Sequence, residues 1–293
     1  MNILVTGGSG YVGSNIIRYL NKDHDVFSPS HRDLDLMNEE RVREYLSEHT
    51  VDVVIHGAVK PAQRTKKDRS GILYHNLKMF FNIAENILGN TKLIFLSSGA
   101  VYNAEYYYPK MDELYCGTHV PTDEYGFSKY VASKYIENLN NALELRLFGV
   151  FGYNEEYEIR FISNAICKAL AGLPITIRQN RFFDYLFIED LFPILDHFIA
   201  NDSKHKSFNI TPNSAISLYS IAELVIDVLN KKDIPIIVKM PGLGLEYSGS
   251  NIRLHNEIHD LRFTPIREAI ITLANWYREN WNLVDLNKLI DDL

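Results

Sequence analysis

Residues 2–20 read NILVTGGSGYVGSNIIRYL, and this stretch decides the fold. NILVT at 2–6 is apolar on both faces, as a strand covered by helices on either side must be. From Tyr11 the period changes, and Val12, Ile16, Ile17 and Leu20 fall on one helical face. Gly7, Gly10 and Gly13 stand between the two patterns. Gly7 permits a tight turn, Gly10 lets a pyrophosphate approach the backbone, and Gly13 lets the helix pack on the strand. The helix N-terminus at Tyr11 and Val12 then turns free N–H groups and a positive dipole end toward the phosphates. In a strand-to-helix context this spacing is a dinucleotide-binding loop rather than a bare turn.

Outward from that loop, strand and helix patterns alternate. VFS (26–28), VDVVIHG (51–57), KLIFLSS (92–98) and LELRLFG (143–149) read as further buried strands. Helical patterns cover 11–21, 39–48, 76–88 and 124–140, with Glu39 and Glu40 suited to a helix N-terminus. Alternation of this kind predicts an α/β fold with a doubly wound parallel Rossmann sheet. After residue 152 the pattern loosens. Helices are expected at 158–171, 190–200, 216–230 and 265–280, and short strands at 174–178, 184–188, 207–210 and 235–239. The expected organisation is a Rossmann domain over 1–152, with segments near 183–210 returning to it. Residues 153–293 would form a smaller C-terminal α/β substrate lobe.

Composition bounds the partners. The 293 residues carry 30 basic and 37 acidic side chains, a net charge of −7 that disfavours nucleic acid. No apolar run approaches the roughly 20 residues of a membrane span, and no signal peptide is expected. Cys116 and Cys167 are too few for a disulfide framework, and the ten histidines show no metal-ligand spacing. A cytoplasmic protein with no metal, no membrane and no nucleic acid is expected. His56 reads as a packed strand residue and Cys116 as incidental.

The second strand runs into Phe27-Ser28-Pro29-Ser30-His31-Arg32. A NAD site usually places an acid there for the ribose 2′-OH. Here the hydroxyl of Ser30 and the guanidinium of Arg32 suit a 2′-phosphate instead, which favours NADP(H). NAD(H) remains the alternative if Asp33 or Asp35 faces the ribose. Asp35 and Leu36 could line the adenine edge. Ala58 and Lys60 follow the third strand at the cofactor side, and Lys60 opens the basic run KPAQRTKKDR (60–69). In YGFSK, Tyr125 and Lys129 are four residues apart and share a helical face. A nearby ammonium would lower the phenol from its usual pKa of ~10 toward a usable proton donor. Ser98 ends the KLIFLSS strand, at the carboxyl edge where such sheets bind ligands, and can hydrogen-bond a substrate oxygen beside the tyrosine.

These pieces resemble the extended short-chain dehydrogenase/reductases of the nucleotide-sugar epimerase/dehydratase/reductase group. The matching motifs are TGGSGYVG (6–13), DVVIHGA (52–58), Asn76 in YHNLKMFFNI, SSGAVY (97–102), YGFSK (125–129), RLFGVFG (146–152) and FDYLFIEDL (183–191). Within the group the pattern is similar to the GDP-L-fucose synthase and dTDP-4-dehydrorhamnose reductase types. The resemblance implies Ser98, Tyr125 and Lys129 as catalytic residues and Asn76 as a keeper of helix–sheet geometry near the nicotinamide. It implies a nucleotide-sugar substrate met by Ser98, Val101, Tyr102, Asn154, Arg178 and Arg181, and a homodimer through the helices at 76–88 and 124–140. Two departures narrow the chemistry. Ala100 and Asn154 stand where fucose synthases carry their epimerising cysteine and histidine. Gly99-Ala100 replaces the acidic pair of the dehydratases. Hydride transfer at one carbon remains, as a reductase of a 4-keto sugar or, alternatively, a NAD-dependent 4-epimerase. A cofactor-sensing regulator is the non-enzyme alternative, but it would have no use for the serine, tyrosine and lysine present here.

Overall fold

The computed structural model describes residues 1–61 and 70–290, so Arg64, Lys66 and Lys67 of the basic run lie outside the described residues. Strands and helices alternate through the first half: β1 (Asn2–Thr6), α1 (Tyr11–Leu20), β2 (Asp25–Phe27), α2 (Glu39–Glu48), β3 (Val53–His56), α3 (Ile72–Ala84), β4 (Lys92–Ser98), α4 (Glu124–Ile136) and β5 (Ala142–Leu147). There follow β6 (Gly149–Phe151), α5 (Phe161–Ala171), β7 (Ile175–Asn180), β8 (Phe182–Phe183), β9 (Tyr185–Phe187), α6 (Leu191–Ala200) and β10 (Ser207–Ile210). The chain continues with β11 (Ile216–Ser217), α7 (Leu218–Leu229), β12 (Ile236–Leu243), α8 (Ile252–Glu257), α9 (Ile266–Glu279) and α10 (Leu286–Ile290).

Six strands form one sheet in the order β10-β5-β4-β3-β1-β2, and every pairing within it is parallel. This is the doubly wound Rossmann arrangement. Strand β10 returns from the second half to pair with β5, with Phe208 opposite Leu145. Side chains of successive strand residues go to opposite faces. Ile3, Val5, Ile55, Ile94 and Leu145 face a core shared with α1, α5, α6, α7 and α9. Leu4, Val54, Leu93 and Phe95 face a second core built with α2, α3 and α4. The near-continuous apolar strands of the sequence are thus covered on both sides.

The later elements pair in twos: β6 with β9 and β7 with β12 in parallel, and β8 with β11 antiparallel. Helices α3 and α4 differ most from their expected bounds. Helix α3 starts four residues early, after Gly71, whose φ of 60° supplies a left-handed entry. Helix α4 stops at Ile136 rather than 140. The chain turns there through Asn138, whose side chain donates back to the Lys134 carbonyl at 3.1 Å. Among the described residues, no helix is long and apolar enough to cross a membrane.

Candidate active site

The carboxyl ends of β1 to β4 open into a cavity of about 1070 Å³. Its floor is the glycine loop. Gly7 holds φ at 76°, and a methyl at Gly13 would lie 2.3 Å from the Gly7 carbonyl oxygen. Helix and strand therefore touch only because residue 13 has no side chain. Helix α1 begins at Gly10 with no side-chain cap and no acid in its first turn. Its leading N–H groups, at Tyr11, Val12 and Gly13 on the cavity wall, are left for an anionic ligand. The donor set fits a dinucleotide pyrophosphate.

The wall beyond β2 is made of Ser28, Pro29, Ser30 and His31, with Leu34 and Leu36 beside them. No carboxylate stands in that part of the wall. Asp33 folds back on Ser30, taking its hydroxyl at 2.6 Å and its N–H at 3.2 Å. Asp35 accepts the Met37 N–H at 3.0 Å and lies 3.6 Å from His31. Arg32 is exposed and, like Asp35, lies off the cavity wall.

After β3, Gly57, Ala58 and Val59 line the cavity. Lys60 does not. Its ammonium donates to the Ser70 carbonyl at 2.8 Å, and its main-chain N–H donates to Asn76 Oδ1 at 2.7 Å. Asn76 also donates to the Lys60 carbonyl at 3.3 Å, so it clamps this loop rather than facing the cavity. His56 lies beneath, with Nδ1 2.8 Å from the Thr6 hydroxyl and its ring stacked on Phe95. Burial, with the charge of Lys129, pulls its pKa to about 3, so it is a neutral packed residue.

Ser98, Tyr125 and Lys129 meet at the inner end. Ser98 caps a short turn at Gly99–Val101 and accepts the Ala100 N–H at 3.2 Å. Asp123 caps α4 by accepting the Gly126 N–H at 2.9 Å, which sets Tyr125 in the first turn and Lys129 one turn on. Ser98 and Tyr125 both line this part of the cavity. Burial raises the Tyr125 pKa, while the Ser98 hydrogen bond and the Arg160 guanidinium pull it down. Lys129 is 2% exposed and its pKa falls to about 7 through burial, with Glu144 opposing. The lowering of Tyr125 expected from Lys129 is not found: burial raises the phenol, and Ser98 and Arg160 only oppose that rise.

The remaining wall of the cavity is formed by Phe148, Val150, Asn154, Glu156 and Arg160. Asn154 adopts φ 63° in the turn after β6. Four residues expected to meet substrate lie elsewhere. Val101 is fully buried. Tyr102 is buried with its hydroxyl donating to Asn209 at 2.7 Å and accepting from Arg146 at 2.9 Å. Arg178 is exposed on β7, off the cavity wall. Arg181 spends its guanidinium on the Leu245 carbonyl, at 2.8 and 2.5 Å, and stacks on Phe183. Conversely, Arg160 and Tyr247 were not found from sequence. Arg160 precedes a helix with no motif around it. Tyr247 lies far from the serine in the chain, yet a methyl at Gly99 would lie 2.4 Å from its hydroxyl oxygen.

A model of the NAD dependent epimerase/dehydratase family matches residues 3–211. GDP-L-fucose synthase of Dictyostelium discoideum is 27% identical, over 95% of this chain and 96% of that protein. UDP-glucose 4-epimerase of Thermotoga maritima, solved with UDP-glucose, aligns over 96% of this chain and 100% of that one, with 18% identity and a TM-score of 0.80. GDP-mannoheptose C4 reductase of Campylobacter jejuni, solved with NADP, aligns over 94% and 98%, with 18% identity and a TM-score of 0.77.

Proposed function

This chain belongs to the NAD dependent epimerase/dehydratase family, and we propose that it works there as an NADPH-dependent reductase of a nucleotide-activated 4-keto sugar. The observation that carries this reading is the convergence of Ser98 and Tyr125, with Lys129 one turn away, at the inner end of the glycine-loop cavity. Gly7, Gly10, Tyr11, Val12 and Gly13 would hold the pyrophosphate. Ser28, Ser30 and His31, with Arg32 nearby, would receive a 2′-phosphate, since no carboxylate stands in that wall. A bound reduced nicotinamide supplies a hydride to the keto carbon. Ser98 hydrogen-bonds the carbonyl oxygen, and Tyr125 gives its phenolic proton to that oxygen as negative charge develops there. Lys129, shielded from water, would hold ribose hydroxyls. Asn154 and Arg160 face the sugar nucleotide from the C-terminal side. Single-carbon chemistry is further supported by Ala100, which offers no acid or base beside Ser98.

The test is Tyr125→Phe. NADPH binding should stay near normal while turnover of a nucleotide 4-keto sugar is lost; retained turnover would contradict the assignment. A second reading, a 4-epimerase with tightly held NAD, is favoured by Asp33, whose carboxylate is bonded to Ser30 at the ribose end. It predicts cofactor that survives purification and sugar interconversion without added NADPH. The same family reading expects a homodimer through α3 and α4, where Tyr74 is exposed.

A further inference from the structure

A second cleft, of about 520 Å³, opens at the C-terminal end of α1, where that helix meets α6 and α9. It shares no wall residue with the cofactor cavity. Its volume lies in the range of small-molecule sites, roughly 300–1,000 Å³. Four half-buried rings line it. Tyr19 and Phe192 stack with centroids 4.3 Å apart and planes at 7°, and Tyr153 meets Trp276 at 5.9 Å. Two cations stand among these rings, both from α1. The Arg18 guanidinium lies 5.5 Å from the centre of the Tyr153 ring, and the Lys22 ammonium 5.5 Å from that of Tyr19. Glu189, from the turn before α6, and Glu279, from the end of α9, complete the charged groups of the wall. Among the described residues, neither cation is ion-paired with them or with any other carboxylate.

The cleft is also held in shape from beneath. Arg18 donates through Nη2 to Asn15 Oδ1 at 2.7 Å. Asn15 is 1% exposed, and its amide nitrogen donates to the Tyr11 and Tyr153 carbonyls at 2.9 and 3.0 Å. One buried side chain thus fixes both the guanidinium and the backbone that carries the Tyr153 ring. A guanidinium has five N–H groups, and this bond uses one. Each part of the wall selects a different feature of a ligand. Aromatic faces take a flat π-system, and every nucleobase has one. A guanidinium and an ammonium without carboxylate partners suit a phosphate. Carboxylates accept from ribose hydroxyls and base N–H groups. A nucleotide meets all three demands at once. We propose that this cleft is a second nucleotide site, which takes a nucleoside 5′-phosphate with its base against Tyr153 and Trp276 and its phosphate at Arg18 and Lys22. The inference is independent of the chemistry assigned to Ser98 and Tyr125, and its test measures no turnover.

Trp276 and Trp281 are the only tryptophans of the chain, so Trp281→Phe leaves a single fluorescent reporter, in the cleft. The full-length variant is saturated with NADP⁺, which fills the glycine-loop cavity, and titrated with AMP, GMP, CMP and UMP. The tightest of the four should quench Trp276 with a Kd below about 1 mM. It should bind at least about tenfold tighter than its own nucleoside, because the phosphate then meets the two cations. Lys22→Glu in the same background should weaken it at least about tenfold, by setting a carboxylate against the phosphate. Isothermal titration calorimetry on the wild type and on Lys22→Glu alone, again with NADP⁺ present, keeps the test open should Trp281→Phe fold poorly. There the wild type should show one nucleotide site more than Lys22→Glu. Absence of quenching and of heat for all four nucleotides at millimolar concentration overturns the proposal. Quenching and heats that Lys22→Glu leaves unchanged overturn it too, and place the nucleotide in the active cavity instead.

Discussion

The Lys129 ammonium donates to the Leu96 main-chain carbonyl at 3.0 Å, and its nitrogen lies 4.3 Å from the centre of the Phe95 ring. The side chain is thus anchored to the last turn of β4, just before the serine. Its distance to the Tyr125 ring centre is longer, 5.7 Å.

That burial has a measurable cost. The pKa of Lys129 falls from 10.5 to about 7 in the fold. Between these values the unfolded chain holds a proton that the native protein releases, so stability rises with pH across that window. Relative to Lys129→Met, the wild type should gain about 1 kcal/mol per pH unit between pH 7 and 9 in chemical denaturation. A pH-independent difference would contradict the burial argument. The variant should also lose turnover.

Glu155 gives the opposite slope. It is buried with one oxygen on the Ser163 hydroxyl and the other, Oε2, without a hydrogen-bond partner among the described residues. Burial raises its pKa from 4.5 to about 7. The native state then binds a proton that the unfolded state has released, so stability falls as pH rises from 4.5 through 7. Glu155→Gln should remove this loss, of about 3 kcal/mol in all, and melt higher than wild type at pH 8. Equal pH dependence of the two melting curves would refute it.

Arg146 and Glu144 form an ion pair in which each side chain is 1% exposed. Glu144 also accepts from Ser133 at 2.6 Å, and Arg146 donates to Tyr102 at 2.9 Å and to the Glu113 carbonyl at 3.2 Å. This network joins β5 to α4, which carries Tyr125 and Lys129, and to the turn that follows Ser98. Removing one partner leaves a buried charge uncompensated, and Glu144→Gln should cost about 3–5 kcal/mol by denaturant unfolding. A loss under about 1 kcal/mol would show that the pair is replaceable.

Much of the fold was legible because its signals are local. The glycines of the first turn, the two-sided apolar strands and the Y-x-x-x-K spacing each sit within one window of sequence. They locate β1, β4, Ser98, Tyr125 and Lys129. The substrate side was less legible because it is assembled across the chain. Arg178 and Arg181 carry the right chemistry, but β7 exposes one and the Leu245 carbonyl engages the other. Tyr102 stands in the serine motif, yet the buried Arg146 and Asn209 take its hydroxyl inward. Arg160 reaches the cavity only through tertiary packing, which no spacing in the chain records.

Gly13 tests the cofactor end. A methyl there meets the Gly7 carbonyl at 2.3 Å, so α1 must shift from β1. Gly13→Ala should weaken NADPH binding at least about tenfold, as the leading N–H groups lose their aim. Fluorescence titration of NADPH measures this, and unchanged affinity would remove the glycine loop from the account.

The most direct measurement follows the hydride. The wild type is mixed with NADPH deuterated at C4 of the nicotinamide and with the nucleotide 4-keto sugar that turns over fastest. A reductase consumes one NADPH for each sugar and leaves deuterium on the sugar carbon that bore the ketone. Failure to reduce any 4-keto sugar or to place deuterium on it, together with interconversion of a nucleotide hexose and its C4 epimer without added NADPH, would contradict the central claim and support the epimerase reading instead.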